Sequence, residues 1–310
     1  MEKRRVLHLM GTVITLTVFH PEGERLLDQC ESMLRDYQQR FSANDASSTL
    51  MQVNANAGRM PMKVDSDLYQ LIRYGYDLSL SSNGRFNLVI GPLIKLWRIG
   101  FTDAKVPTDE EIQARMNLID LTQVELDDEN ETVYLAKSGM EMDLGALAKG
   151  YFADQLKNFL KAEGVTAGIV DLGGNVLTIG KSPKHPSGYW QIGIQDPLRQ
   201  RGNLMAAVAI QDQSVVTSGI YERFIKIGDT LYHHIFDSKT GYPVESEIAS
   251  VTIVSDESID GEVWTTLLFA ETPADALVRL NEHASIEGIV ITRQQEMLIS
   301  DKLKPSVTMI

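Results

Sequence analysis

An α+β fold, with mainly antiparallel sheets and flanking helices, is the architecture this sequence predicts. Three observations predict it. Apolar residues recur at helical spacing in several separate stretches, residues 23–41 among them. Alternating, β-branched runs broken by glycine turns fill most of the chain after about residue 166. The strands come as hairpin-like pairs beside helices, not as a regular strand–helix alternation, and that favours antiparallel pairing.

Each element follows in order. The opening MEKRRVLHLMGTVITLTVFH has a basic start like that of a secretion signal. Its apolar run is broken by His8, Gly11, Thr12, Thr15 and Thr17, and no small-residue cleavage site follows. The alternation from Val13 to Phe19 predicts a first strand. GERLLDQCESMLRDYQQRF, residues 23–41, sets Leu26, Leu27, Cys30, Met33, Leu34, Tyr37 and Phe41 at helical spacing. SANDASS suits a loop ending in the N-cap of a short helix. Residues 65–82 predict a helix with Leu68, Leu71, Ile72, Gly75 and Leu78 on one face. GRFNLVIGPLIKLWRIG is an apolar segment punctuated by glycine. In PTDEEIQARM, Thr108 is an N-cap with Glu111 as its capping-box partner. Strand-like runs lie around 123–127 and 132–136. ALAKGYFADQLKNFLKAEG is a helix stopped by Gly164. The runs AGIVDLGGNVLTIG, WQIGIQDP, AAVAIQD, SVVTSG, FIKIG and SVTIV read as strands. Helices return at 258–270 and 273–284, and a strand pair in IEGIVITRQQEMLIS closes the chain.

The 310 residues contain no tandem repeat, low-complexity tract or long linker. At roughly 150 residues per domain, residues 1–310 make one large unit or two intimately fused subdomains. The hydrophobic fraction of 43% and charged fraction of 23% are ordinary for a globular chain with a sizeable core. The net charge of -13 repels phosphate backbones and anionic lipid, so nucleic acid is excluded as an expected partner. An anionic nucleotide would need a local cation or metal to offset that field. Cys30 is the single cysteine, so an intramolecular disulfide is impossible. No run approaches the ~18 apolar residues of a membrane span. The expected location is the cytoplasm, unless a leader was removed and a start methionine added.

Four segments carry polar residues and glycines that packing alone does not require. In DLGALAKGYFAD, residues 143–154, an acidic residue and a glycine precede a helix that opens with Lys149. Helix N–H groups and a lysine suit a phosphate, although a glycine turn with a solvated lysine looks the same. In IVDLGGNVLTIG, a strand runs into Asp171, two glycines and Asn175. It lacks the GxGxxG fingerprint, so it is no Rossmann turn. The stretch 217–246 carries His233, His234, Asp237, Lys239 and Gly241. Neighbours on a strand point to opposite faces, so one histidine faces a site and the other faces away. In DESIDGEVWTTLLFA, Asp260, Glu262, Thr265 and Thr266 head a helix. Glu262 and Thr266 are one turn apart and could offer oxygen to a hard cation, or could simply cap the helix.

In this order, the segments resemble one family. MGT at 10–12, FSANDASSTLMQVN at 41–54, GRFNLVIGPLIKLWRIG, DLGALAKGYFAD, VDLGGN, TSGIYERF, HHIFDSKTGYPV and the acidic-Thr helix are similar to the ApbE-like FAD:protein FMN transferases. The resemblance covers nearly the whole chain and implies an ApbE-like, T-fold-related architecture. It implies FAD contacts at Met10, Asn44, Arg85, Phe86, Asn87, Asp143, Lys149 and Ile235. It implies a Mg²⁺ site, or one for another divalent cation, formed by the Ala146 carbonyl, Glu262 and Thr266, with Asp260 as the alternative acidic ligand. His234 matches the histidine that activates the acceptor hydroxyl.

The implied reaction is Mg-dependent transfer of FMN from FAD to a Thr or Ser hydroxyl of a target flavoprotein, with release of AMP. The implied acceptor motif is of the Asp-x-x-Ser/Thr-Gly-Ala-Thr type. Three departures stand out: Glu262 where the family helix usually has Asp, Asn44 where an aromatic residue is frequent, and no lipoprotein leader. The loss of a stacking ring at Asn44 keeps a metal-dependent FAD pyrophosphatase open as an alternative. A non-catalytic FAD-binding protein is the other.

Overall fold

The computed structural model describes residues 1–228 and 230–310. In chain order the elements are β1 (Glu2–Leu9), β2 (Thr12–Phe19), α1 (Gly23–Phe41), α2 (Thr49–Ala55), β3 (Met62–Lys63), α3 (Ser66–Ser81), α4 (Gly91–Trp97) and α5 (Asp109–Met116). Then come β4 (Val124–Asp127), β5 (Thr132–Leu135), α6 (Ala148–Ala162), β6 (Ala167–Leu172), β7 (Asn175–Gly180), β8 (Trp190–Gln195), β9 (Leu204–Ile210) and β10 (Ser214–Gly219). The rest are β11 (Phe224–Ile227), β12 (Thr230–His233), β13 (Ile248–Ser255), α7 (Ser258–Leu268), α8 (Pro273–Glu282), β14 (Glu287–Thr292), β15 (Met297–Ile299) and β16 (Val307–Met309). Every ladder between these strands is antiparallel, so the α+β class with antiparallel sheets is the fold this chain has.

The chain divides into two units. The first comprises Met1–Asp36, Lys149–Gly219 and Ser246–Ile310. Its centre is an eight-stranded sheet in the order β1-β2-β6-β7-β10-β13-β14-β15. A second sheet, β16-β9-β8, contributes Trp190, Ile194, Ala206, Val208 and Ile210 to a core shared with Val215, Val254, Ile289 and Ile291. β13 is buried along its whole length, as befits a strand in the middle of a covered sheet. α7 packs on β10 and β13, and α8 on β14.

The second unit comprises Tyr37–Ala148 and Ile220–Glu245. It holds the sheet β3-β5-β4, the hairpin β11-β12 and helices α2 to α5. Trp97 is its fully buried anchor; the indole N–H donates to the Gly241 carbonyl at 3.0 Å, and Tyr232, Phe236 and Tyr242 surround the ring. α5 has the predicted capping box, with Thr108 and Glu111 bonded reciprocally.

Two expectations need correction. The strand from Val13 is not the first: the basic stretch Glu2–Leu9 is β1, paired with β2 through a two-residue turn at Met10 and Gly11. The strand pair in 286–300 does not close the chain, because β16 follows and pairs with β9.

Candidate functional site

In the first unit the site begins at the β6–β7 turn. Asp171 Oδ1 accepts the Gly174 N–H at 2.9 Å, and both Gly173 and Gly174 have positive φ, at 75° and 98°. An L side chain is strained there, and a Cβ on Gly173 would fall 2.0 Å from Thr12 Oγ1. The tight turn delivers Asn175 to a buried position at the start of β7. Its Nδ2 donates to Glu262 Oε1 at 2.9 Å, and its Oδ1 accepts Ser258 Oγ at 2.7 Å.

Glu262 is 4% exposed, on α7. Its Oε1 also takes the ammonium of Lys149, from the first turn of α6, at 2.9 Å. A carboxylate this deep requires such pairing, since burial of an unpaired charge is costly. Thr265 and Thr266 both donate their hydroxyls to the Glu262 carbonyl at 3.0 Å, and Ser218 Oγ donates to Thr265. The Thr266 oxygen keeps its lone pairs while doing so. Asp260 is on the same helix, but burial together with Glu257 and Asp256 raises its carboxyl above the ordinary range. Glu262 and Thr266 thus lie one turn apart, with hard oxygen donors of the kind Mg²⁺ takes. Among the described residues no three or more His, Cys, Asp or Glu cluster so that they could hold a metal ion. Met10 is at the β1–β2 turn with φ of 54°, half-buried.

In the second unit two connections assemble the predicted residues. The Asp143 N–H donates to Leu88 O at 3.0 Å, tying the DLGA turn to the segment that carries Arg85, Phe86 and Asn87. Asn54, buried, clamps the same turn by bonding both the N–H and the carbonyl of Met142. Ser238 Oγ donates to Gly84 O at 2.7 Å and Lys239 Nζ to Asn83 Oδ1 at 3.3 Å, which joins that segment to the SKTG turn.

Phe86 is buried, and the Asn87 side chain is engaged at both ends, donating to Ile119 O and accepting from Val89 N. Asp143 is half-buried and accepts the Gly145 N–H at 2.7 Å. Burial pushes its carboxyl above the usual range, opposed by that N–H and by Arg223 and Lys95. Ala146 follows in the same turn, half-buried. Asn44 is exposed in the loop before α2.

The two histidines differ in burial, although only His233 lies on a strand. His233 ends β12 and is buried, while His234, just beyond, is half-buried. The His234 Nδ1 lies 3.2 Å from the Arg223 carbonyl. A carbonyl only accepts, so a neutral ring engaged there donates from Nδ1 and has its lone pair on Nε2. Ile235 is next, its carbonyl accepting Val244 N.

Three contributors went unnoticed in the sequence: Asn175 as a bridge to Glu262, Ser258 behind it, and the carbonyl of Arg223. The VDLGGN motif marked Asn175, but its partner stands 87 residues away.

A model of the ApbE family matches residues 10–290. A Klebsiella pneumoniae protein named FAD:protein FMN transferase is 38% identical over 94% of this chain and 90% of its own length. A Treponema pallidum protein of the same name is 33% identical over 94% of this chain and 84% of its own length. Among solved structures, the ApbE protein of Thermotoga maritima superposes with a TM-score of 0.89 at 25% identity, covering 99% of both chains. The apo flavinyl transferase ApbE of Pseudomonas stutzeri superposes with a TM-score of 0.82 at 24% identity, covering 98% of this chain and 97% of that one.

Proposed function

The chain belongs to the ApbE family, and from that premise we propose that it transfers FMN from FAD to a Thr or Ser hydroxyl of an acceptor flavoprotein. The hydroxyl oxygen forms a bond to the FMN-side phosphorus. The bond from that phosphorus to the bridging oxygen breaks, and AMP leaves with that oxygen. The hydroxyl proton passes to Nε2 of His234. The approach of Nδ1 to the Arg223 carbonyl supports this role, because a neutral ring that donates there accepts at Nε2.

Glu262, Thr266 and the Ala146 carbonyl are assigned to Mg²⁺, which when bound supplies Lewis-acid stabilisation of charge on the phosphoryl oxygens. Lys149 is assigned to the pyrophosphate, a local positive charge within a chain of net charge -13. Met10, Asn44, Arg85, Asp143 and Ile235 are assigned to FAD. Phe86 and Asn87 are assigned to it through the backbone, since one side chain is buried and the other already bonded.

The observation that carries this reading is the near full-length match to relatives named FAD:protein FMN transferase. Its test is incubation with FAD, Mg²⁺ and a domain bearing a Ser/Thr acceptor motif, followed by an intact-mass spectrum of the acceptor. An FMN-sized increase with AMP released, and blocked by EDTA, is expected. Free FMN and AMP with an unmodified acceptor would instead establish a pyrophosphatase, the outcome that the exposed Asn44 favours. Intact FAD under all conditions would leave flavin binding alone.

A further inference from the structure

Asp154 stands one turn after Gly150 on α6, so the two present to the same neighbour. That neighbour is the start of α7. The Asp154 side chain is buried and accepts two backbone N–H groups of α7, Ser258 to Oδ1 at 2.7 Å and Ile259 to Oδ2 at 2.9 Å. Such N–H groups have no partner within their own helix. The residue at the cap position, Glu257, makes no side-chain cap bond. α7 is therefore capped from α6 rather than from its own sequence.

The close approach depends on glycine. A Cβ on Gly150 would lie 2.6 Å from Ile259 Cα and 2.7 Å from Ser258 O. On another side of α7, a Cβ on Gly261 would lie 2.4 Å from Val216 Cγ2. From the capped end the bonding continues inward: Ser258 Oγ donates to Asn175 Oδ1, and Asn175 Nδ2 to Glu262 Oε1. Asp154, Ser258, Asn175 and Glu262 are all buried. A buried network with its partners in place holds one geometry.

The geometry points to Asp154 as the positioning residue for the cation site. It sets the placement of α7, and with it the Glu262 carboxylate and the Thr266 hydroxyl, without touching the cation itself. Gly150 provides the space that lets it reach. The inference rests on the reading that Glu262 and Thr266 are ligands.

The test measures Mn²⁺ binding to the full chain by electron paramagnetic resonance, without FAD, beside thermal unfolding of each variant. Asp154→Asn places an NH₂ against a helix N–H, and Gly150→Ala pushes the start of α7 away. Both are expected to weaken Mn²⁺ binding ~10–100-fold, the usual effect of removing a group that orients a ligand. The control is Thr272→Ala, which removes the cap bond that the Asp275 N–H of α8 donates to Thr272 Oγ1. It is expected to lower the melting temperature while leaving Mn²⁺ affinity unchanged. Wild-type affinity in Asp154→Asn or in Gly150→Ala would overturn the positioning role. Glu262→Gln checks the underlying reading separately. Wild-type affinity in that variant, or no binding by the unmodified chain, would overturn the ligand assignment and the positioning role with it.

Discussion

A neutral imidazole holds one proton, and for His234 a carbonyl decides where it sits. A neutral ring that donates Nδ1–H to Arg223 O has its lone pair on Nε2, the nitrogen that the proposed transfer uses. His234→Ala is therefore expected to cut FMN transfer by about 10²–10⁴-fold, the usual range for general base catalysis, with FAD affinity nearly unchanged by fluorescence titration. Wild-type transfer in that variant would remove His234 from the reaction. Cys30 behaves in the opposite way. It is fully buried on α1, and burial pushes its thiol up to about 12, so little thiolate forms near neutrality. It should react with a thiol reagent only after unfolding, as followed by absorbance with and without denaturant. Single residues were legible in part. The spacing of Glu262 and Thr266 already put them on one helical face, whereas the strand alternation expected of His233 and His234 stops short, because β12 ends at His233. The approach of His234 Nδ1 to Arg223 was not legible, because Arg223 acts through its backbone from the other side of a hairpin. Nor was the engagement of the Asn87 amide, whose acceptor Ile119 is 32 residues away.

Elements with local signals were the easiest to read. The helix over 23–41 and the Thr108–Glu111 capping box need only neighbouring residues. β1 was hidden because Lys3, Arg4 and Arg5 mask its alternation. It is an edge strand, where charge guards against unwanted pairing, and Arg5 ion-pairs with Glu24, Asp28 and Glu31 of α1. The cap of α7 was hidden for a different reason, since it comes from another helix. That cap has a consequence for pH. Burial raises the Asp154 carboxyl to about 7, helped by Glu257 and opposed by the Ser258 and Ile259 N–H groups and by Lys157. A carboxyl raised in the folded state holds its proton where the unfolded chain, near 3.8, has lost it. Its stability contribution is fully present below that unfolded value and is lost as pH rises through about 7. The melting temperature of the native chain minus that of Asp154→Asn should therefore fall between pH 4 and pH 8. A flat difference in calorimetry across that window would mean that Asp154 titrates normally.

At the scale of the whole molecule, the class of fold was legible and the strand order was not. Hairpin pairs such as β6–β7 and β14–β15 follow from adjacent alternating runs. The neighbours β2–β6 and β7–β10 join segments far apart in sequence, and nothing local encodes them. Net charge, by contrast, is read directly, and it constrains how substrate arrives. At about 0.01 M salt the screening length is ~30 Å, so the anionic pyrophosphate of FAD meets the field of the whole -13 chain. At about 0.15 M that length shrinks to ~8 Å, and only nearby groups such as the half-buried Lys149 still act on it. Association measured by stopped-flow flavin fluorescence should then accelerate with salt, by roughly two- to tenfold between those concentrations. Slower association with added salt would mean that a local cluster of cations dominates the approach at every distance. Lys149→Met separates the two contributions. It should leave the salt-induced acceleration in place while lowering the rate at 0.15 M, because the Glu262 carboxylate that Lys149 balances then faces the incoming phosphate uncompensated.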